Sequence, residues 1–253
     1  RRGSQTLHRI HGIPLAINAG DALHGIVHQV LLENHAKLGA QKALQVHQHL
    51  NLVIQKTFEG QALDIGWVEK EVFPNREQYQ QMIVRKTGWY SGRGPCQCGA
   101  LIAGKEGELF ESLGDFGESL GIGFQIRDDI LNLTESSESN APEAQVGGYG
   151  KEQGGDFAEG KRTLITIEML ERLNPEEQNR LQSILLKSRT EVTEEEIVWA
   201  IEQSERCGAL DAARSEAQNH ALRASSELSK MPQGSPRKIL EELLGFLAED
   251  RKV

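Results

Sequence analysis

The chain has 253 residues, of which 38% are hydrophobic and 26% charged, and its formal net charge at pH 7 is −9. A chain of this length can bury an extended core within one domain, while its negative charge argues against nonspecific binding to nucleic acid. No apolar run approaches the ~18 residues of a transmembrane helix, and three cysteines are too few for a disulfide framework. Composition therefore predicts a cytoplasmic protein with reduced cysteines. Any anionic ligand must be held by local Lys and Arg residues or by a metal.

Apolar residues recur at helical spacing along nearly the whole chain, and no stretch alternates convincingly with period two. Asn75 is predicted to be an N-cap after Pro74, Pro95 breaks or restarts the helix that follows, and Thr193 with Glu196 resembles a capping box. The predicted helices cover residues 18–37, 40–67, 75 onward, 106–133, 162–173, 175–187, 194–207, 209–230 and 236–249. Residues 134–150 are rich in Ser, Glu, Asn and Gly and predict a mobile loop. We therefore predict one all-α domain of about ten helices.

The most informative polar feature is a pair of adjacent carboxylates, Asp128 and Asp129, in an otherwise apolar helical segment. Gln125 and Asn132 lie three or four residues away, so all four side chains share one helix face. Two acids in apolar surroundings are costly without a compensating cation. Mg²⁺ is commonly held by one or two carboxylates plus substrate phosphates. The patch predicts a metal-bridged diphosphate site, although a solvated acidic helix face is the more ordinary explanation for such a segment taken alone.

A second polar segment follows the predicted loop. Lys151, Asp156 and Lys161 lie among several glycines in a short span. Lysine acts on phosphate as a point charge, and glycine lets the backbone approach a ligand closely. The segment is therefore a candidate phosphate site, with a polar surface loop as the alternative.

Three shorter patterns lie upstream. Gln61 and Asp64 are three residues apart on a predicted helix, where they form either a metal corner or an exposed polar pair. Lys86 and Thr87 precede a mid-helix glycine, which costs roughly 1 kcal/mol and suggests close packing or ligand approach. The segment Arg1-Arg2-Gly3 offers two forked guanidinium groups suited to phosphate, or else a basic tail.

The histidines concentrate near the start of the chain. His24, His28 and His35 share one helical face, and a pair at i and i+4 can bind zinc. A glycine, rather than a glutamate, follows His24, so the metalloprotease signature is absent. We favour a polar helix face, partly at a dimer interface, over a zinc site.

Together these segments resemble the trans-isoprenyl diphosphate synthases, the polyprenyl synthetase family. The matching pieces, in the family's order, are Arg1-Arg2-Gly3 with Thr6 and His8, then residues 16–21, 60–64, 86–87, 124–129 and 150–161. The resemblance covers residues 1–253. Trp89 and Tyr90 after the Lys-Thr pair resemble the branch that makes geranylgeranyl diphosphate.

The resemblance implies an isoprenoid synthase fold, a single domain of antiparallel helices around a deep central cavity, usually as a homodimer. It implies condensation of isopentenyl diphosphate with an allylic diphosphate. About three Mg²⁺ ions, held between two acidic clusters, assist departure of the allylic diphosphate. The double bond of isopentenyl diphosphate then attacks the allylic cation.

The resemblance also implies roles for individual residues. The metal site would comprise Gln61, Asp64, Asp128 and Asp129, with Asn132 and Asp156 acting through water. The allylic diphosphate would be contacted by Arg1, Lys86, Thr87, Gln125, Lys151 and Lys161, and the diphosphate of isopentenyl diphosphate by Arg2.

One part of the family pattern is missing. The family's first Asp-rich cluster lies just before the Arg-Arg-Gly segment, whereas this sequence begins at Arg1. We expect a domain without the N-terminal helices and that cluster. The favoured explanation is a fragment of a complete enzyme, since no initiator Met is present, and such a fragment would be nearly inactive alone. The alternatives are a noncatalytic regulatory subunit of a prenyl diphosphate synthase and a terpene cyclase. The lysine-rich segment and the arginine pair favour elongation over cyclisation because two diphosphates must be held.

Overall fold

The structure, a computed structural model, describes residues 5–134 and 153–246. Within these residues it contains no β-strand, so the all-α prediction is confirmed. The helices are α1 (Leu7–His11), α2 (Ile13–Glu33), α3 (His35–Leu38), α4 (Ala40–Glu69), α5 (Arg76–Ile83), α6 (Gly94–Ile102), α7 (Glu108–Thr134), α8 (Gly155–Ala158), α9 (Leu164–Arg172), α10 (Pro175–Leu185), α11 (Glu194–Arg206), α12 (Ala209–Ser229) and α13 (Ser235–Gly245). A π-helical segment (Val84–Arg93) joins α5 to α6.

The starts of two helices agree with the capping residues predicted from the sequence. Asn75 is an N-cap and Thr193 forms a capping box, as predicted, and the structure shows a capping box at Asn75 as well. The first predicted helix, 18–37, is displaced: α2 begins five residues earlier and ends at Glu33. Three helices of four or five residues and the division at the π-helical segment account for the thirteen α-helices among the described residues, rather than about ten. Apart from Thr134, the predicted loop 134–150 lies outside the described residues.

Helix α7 runs through the centre of the packing and contacts α12 on one side and the π-helical segment and α6 on another. Glycines make its contact with the π-helical segment unusually close. A Cβ added at Gly92 would overlap the carbonyl group of Gly117, and one at Gly121 would lie 3.2 Å from the carbonyl oxygen of Thr87. The two backbones therefore touch, which holds Thr87 against α7.

Helix α4 touches the other side of the π-helical segment in the same way. A Cβ added at Gly60 would lie 2.7 Å from the Cα of Lys86 and nearer still to its backbone nitrogen. Because glycine alone lacks a Cβ, only this residue allows such an approach. The π-helical segment is consequently fixed between α4 and α7, the two helices that carry the predicted metal ligands.

The buried apolar side chains form two clusters. The larger extends from Trp67 and Tyr79 through the second half of α7 to α9, α10 and α12. The smaller is centred on Phe116 and joins α7 to α12 and α13. No helix among residues 5–134 and 153–246 combines the length and hydrophobicity required to cross a bilayer.

Candidate functional site

The first polar group lies where α4 meets the π-helical segment. The Lys86 Nζ donates a hydrogen bond to Asp64 Oδ2 at 2.5 Å, and both side chains are less than one-third exposed. Gln61 is half-buried one turn before Asp64, and Thr87 is buried beside Lys86. The structure therefore pairs Lys86 with Asp64, and Gln61 and Thr87 lie beside them on the same two helical segments. A π-helical turn at such a point is common in functional sites.

The second polar group lies along the last turns of α7. Asp128, Asp129 and Asn132 are each buried, with 8%, 8% and 7% of their surface exposed. The Gln125 Nε2 donates to Asp129 Oδ1 at 3.0 Å, a contact that requires the shared helix face predicted from their spacing. The segment is thus a buried acidic face, rather than the solvated one considered as an alternative.

Asn132 connects α7 to the residues after the undescribed segment. Its Oδ1 accepts a hydrogen bond from the backbone N–H of Asp156 at 3.0 Å. Its own carbonyl oxygen accepts one from the backbone N–H of Gly154 at 2.8 Å. The two bonds dock α8 onto the end of α7, so Asp156 is carried to the acidic face.

Lys161 completes this group. Its Nζ lies 2.5 Å from Asp156 Oδ1 and 3.3 Å from Glu159 Oε2. Burial opposes its charge, but the carboxylates of Asp156 and Glu159 raise the pKa of Lys161 overall. Burial, followed by the charge of Asp156, raises the pKa of Asp129 to about 7. The group holds more buried negative charge than Lys161 neutralises, which favours a bound cation.

Tyr79 was not predicted from the sequence. It is buried on α5, and the pKa of its hydroxyl is raised by burial, then by the charges of Asp129 and Asp64. One carboxylate from α7 and one from α4 therefore act electrostatically on the same hydroxyl. The sequence signal that could have identified Tyr79 is its position seven residues, or about two helical turns, before Lys86.

The donor chemistry fits magnesium. Carboxylate and amide oxygens, the ligands that Mg²⁺ prefers, are present in both groups. The Nδ2 of Asn132, a donor buried with no partner among the described residues, fits a water or a phosphate oxygen rather than the metal itself. No group of three or more His, Cys, Asp or Glu side chains in those residues is arranged to hold a metal by itself. Mg²⁺ characteristically uses one or two carboxylates, waters and substrate phosphates in place of an all-protein cage. The residues therefore fit metal that is bound together with a diphosphate.

An apolar cavity of about 900 Å³ has wall residues about one helical turn from the first group. Phe58 in its wall lies three residues before Gln61, and Tyr90 lies four residues after Lys86, so the same backbone carries both the polar group and the cavity wall. The volume falls in the ~300–1,000 Å³ range of small-molecule sites. Its other lining residues include Val27, Leu31, Val46, Leu50, Val53, Ile54, Cys98 and Ile102.

The predicted ligands Arg1, Arg2 and Lys151 lie outside the described residues.

The histidine face is present in part. The rings of His24 and His28 lie 4.7 Å apart between centroids, and His47 of α4 lies 5.1 Å from His28. His35 points elsewhere, with its Nδ1 2.9 Å from the carbonyl oxygen of Leu32. The three histidines predicted on one face therefore do not converge.

Comparison with known proteins identifies the family. The polyprenyl synthetase family model matches residues 1–203. The chain is 32% identical over 249 residues to the short chain isoprenyl diphosphate synthase of Methanothermobacter thermautotrophicus, covering 98% of this chain and 71% of that protein. It is 31% identical over 251 residues to the geranylgeranyl pyrophosphate synthase of Geoglobus acetivorans, with 98% and 71% covered. The crystal structure of geranylgeranyl pyrophosphate synthetase from Pyrococcus horikoshii matches with a TM-score of 0.84 at 30% identity, over all of this chain and 72% of that one. The chain therefore belongs to the polyprenyl synthetase family of trans-prenyltransferases.

Proposed function

We propose that the chain condenses isopentenyl diphosphate with an allylic diphosphate, with geranylgeranyl diphosphate as the product. The observation that carries this proposal is the arrangement of the two polar groups: the carboxylates of Asp129 and Asp64 both raise the pKa of the buried Tyr79 hydroxyl, and an apolar cavity lies about one helical turn from the first group. An allylic diphosphate has a charged head and an apolar tail, and it needs a polar site close to an apolar cavity. Among the relatives named above, those from Geoglobus acetivorans and Pyrococcus horikoshii are named as geranylgeranyl pyrophosphate synthases, which supports the choice of product.

The allylic diphosphate would be held by cations and hydrogen-bond donors of both groups. Lys86 and Lys161 would give point charges to its oxygens, and Thr87 and Gln125 would donate hydrogen bonds. These contacts stabilise the negative charge that develops as the diphosphate departs, which is the step that needs most help. The residues proposed for the same diphosphates from outside the described part of the chain are Arg1, Arg2 and Lys151.

The metal site would draw on both groups. We propose that Gln61, Asp64, Asp128 and Asp129 hold Mg²⁺ and that Asn132 and Asp156 support it through water. When bound, about three Mg²⁺ ions would neutralise the diphosphate and make it a better leaving group. Asp64 would then face the metal instead of Lys86, and the Lys86 ammonium group would be free to bind the diphosphate.

The apolar cavity would receive the allylic tail and its extension. Filled by the apolar tail, it would keep water from an allylic cation and so protect that cation from hydrolysis. Phe58 and Tyr90 line it close to the first polar group, so the reacting carbon would lie between that group and the cavity. The depth available below them would set the length of the product.

We further propose a cytoplasmic homodimer. Cys96, Cys98 and Cys207 are free, which suits a reducing compartment. None of the side chains of α2 is buried, although the helix is rich in apolar residues. A second copy that covers this helix would remove its apolar surface from water. Light scattering coupled to size-exclusion chromatography tests the dimer.

The decisive experiment is product sizing. The protein expressed from the complete reading frame is incubated with Mg²⁺, labelled isopentenyl diphosphate and one allylic substrate at a time: farnesyl, geranyl or dimethylallyl diphosphate. Reactions with EDTA and with the Asp128→Ala variant are the controls. We expect a C20 diphosphate that depends on metal and on Asp128. Failure to incorporate label from any allylic substrate would reject the enzyme and favour a noncatalytic subunit. A cyclic hydrocarbon would indicate a terpene cyclase.

A further inference from the structure

Arg162 is the largest fully buried polar side chain near the site, and it follows Lys161 directly in the sequence. Only 2% of its surface is exposed, yet its guanidinium pairs with no carboxylate among the described residues. Burial lowers the pKa of Arg162, against an opposing effect of the Glu71 charge. Burying a charge without an ion pair is costly. A charged side chain buried at this position therefore needs a role that a neutral side chain could not fill.

The guanidinium binds backbone carbonyls from three separate segments. Its Nε donates to the carbonyl oxygen of Val72 at 3.0 Å. Its Nη1 donates to that of Gly160 at 2.5 Å and reaches that of Leu185 at 3.4 Å. The plane also lies over the ring of Phe73, 4.2 Å from its centroid. The fork of arginine suits several acceptors held in fixed directions, whereas lysine offers a single point of attachment.

These partners locate the residues on either side of Arg162. Val72 belongs to the linker between α4 and α5, Gly160 to the turn before Lys161, and Leu185 to the end of α10. Gly160 has a φ of +62°, and a Cβ added there would lie 2.5 Å from the Leu185 carbonyl oxygen. The turn is therefore pressed against α10 on one side. On the other side, the Lys161 Nζ reaches Asp156 in the acidic group.

We infer that Arg162 is a positioning residue for Lys161 in diphosphate binding. By joining the Gly160 turn to the α4–α5 linker, its guanidinium fixes the Lys161 ammonium group relative to the segment that leads into Lys86. The two lysines are then held at one separation, as binding of a single diphosphate between them requires. The inference rests on the proposed function of Lys161, and it adds a buried residue that touches neither substrate nor metal.

The test compares the chain with Arg162→Lys, Lys161→Ala and the double variant. The measurements are pyrophosphate affinity in the presence of Mg²⁺ by titration calorimetry, KM for the allylic diphosphate, and the midpoint of thermal unfolding. We expect Arg162→Lys to weaken pyrophosphate binding roughly 10- to 100-fold through misplacement of Lys161. In the Lys161→Ala background the same change should have almost no further effect, since residues that act through one another are not additive.

Arg76→Lys is the matched control. Arg76 joins α5 to α9 and α12 through Glu168 and Glu216, so its change perturbs a structural cation that does not hold the Lys161 turn. We expect it to lower the unfolding midpoint and leave pyrophosphate affinity unchanged. An equal loss of affinity in Arg76→Lys would show that general destabilisation is enough, and would overturn the inference.

The remaining outcomes separate the inference from the proposed function. If Lys161→Ala binds pyrophosphate normally, the role proposed for Lys161 is wrong. If Lys161→Ala weakens binding and Arg162→Lys does not, only the positioning role is rejected. Additive losses in the double variant would mean that Arg162 acts independently of Lys161. A variant Arg162→Lys that does not fold would demonstrate a purely structural role and reject the inference as well.

Discussion

The substitution Gly60→Ala tests whether the contact between α4 and the π-helical segment creates the first polar group. The added Cβ would lie 2.7 Å from the Cα and 2.8 Å from the Cβ of Lys86, and nearer still to the Lys86 backbone nitrogen. Ordinary van der Waals contact begins at 3.4 Å, so the two backbones must separate by about 1 Å. Neither side can yield by rotating a side chain, because the nearest atoms of Lys86 belong to the backbone.

The expected cost can be worked out from this geometry. Overpacking of this kind destabilises by about 1–3 kcal/mol, partly offset by the roughly 1 kcal/mol that alanine gains over glycine in a helix. A displacement of about 1 Å between catalytic groups can lower turnover by roughly 10²-fold. Catalysis should therefore fall much more than stability, since Asp64 and Lys86 lie on the two parts that separate.

Gly66→Ala provides the control in the same helix. A Cβ at Gly66 meets no atom within 4 Å, so alanine should raise stability by up to about 1 kcal/mol and leave turnover unchanged. Urea unfolding and steady-state assays of both variants, made in the product of the complete reading frame, provide the comparison. If Gly60→Ala and Gly66→Ala behave alike in both measurements, the close contact does not organise the site.

The other predictions concern single groups of the proposed site. Asp128→Ala should lower turnover by orders of magnitude and leave the unfolding midpoint equal or higher, because it removes one of several buried like charges; unchanged turnover would exclude Asp128 from the mechanism. Lys86→Ala should raise KM for the allylic diphosphate and lower turnover at constant KM for isopentenyl diphosphate, and the reverse pattern would exchange the two substrate sites. Mg²⁺ with pyrophosphate should raise the unfolding midpoint, measured by scanning fluorimetry, more than the sum of the two added separately. Purely additive shifts would contradict a shared site.

Much of the fold follows from local sequence signals. Helical periodicity predicted the all-α class because a helix must hide one apolar stripe, and that requirement repeats along the chain. Asn75 and Thr193 were predicted as helix starts because capping depends on side chains only three residues apart. The limits of α2 were less accessible. Its start at Ile13 follows Gly12, where φ is +84°, a conformation that apolar spacing does not encode.

The site shows a similar division. The acidic face of α7 was readable because Gln125 and Asp129 are one helical turn apart. The pairing of Lys86 with Asp64 was not readable as a contact, since it depends on the close approach of α4 to the π-helical segment at Gly60. The glycine after Thr87 signalled close packing without identifying the partner. Arg162 was hidden for the same reason, because two of its partners are the carbonyls of Val72 and Leu185, which are remote in sequence.

Asn132 illustrates how the structure gives a reason for a departure from the family pattern. The resemblance to the family implies a third Asp at this position in many members, and support of the metal through water remains a prediction here. In the structure, Asn132 Oδ1 accepts the backbone N–H of Asp156, so the side chain already holds together the two acidic segments. An aspartate could accept the same bond, but it would add another charge beside Asp128, Asp129 and Asp156, all of which are buried. Lys161 pairs with Asp156, yet burial still raises the pKa of Asp129. The neutral amide therefore keeps the hydrogen bond that docks α8 on α7 without further charge repulsion beside Asp128 and Asp129, the proposed metal ligands of this group.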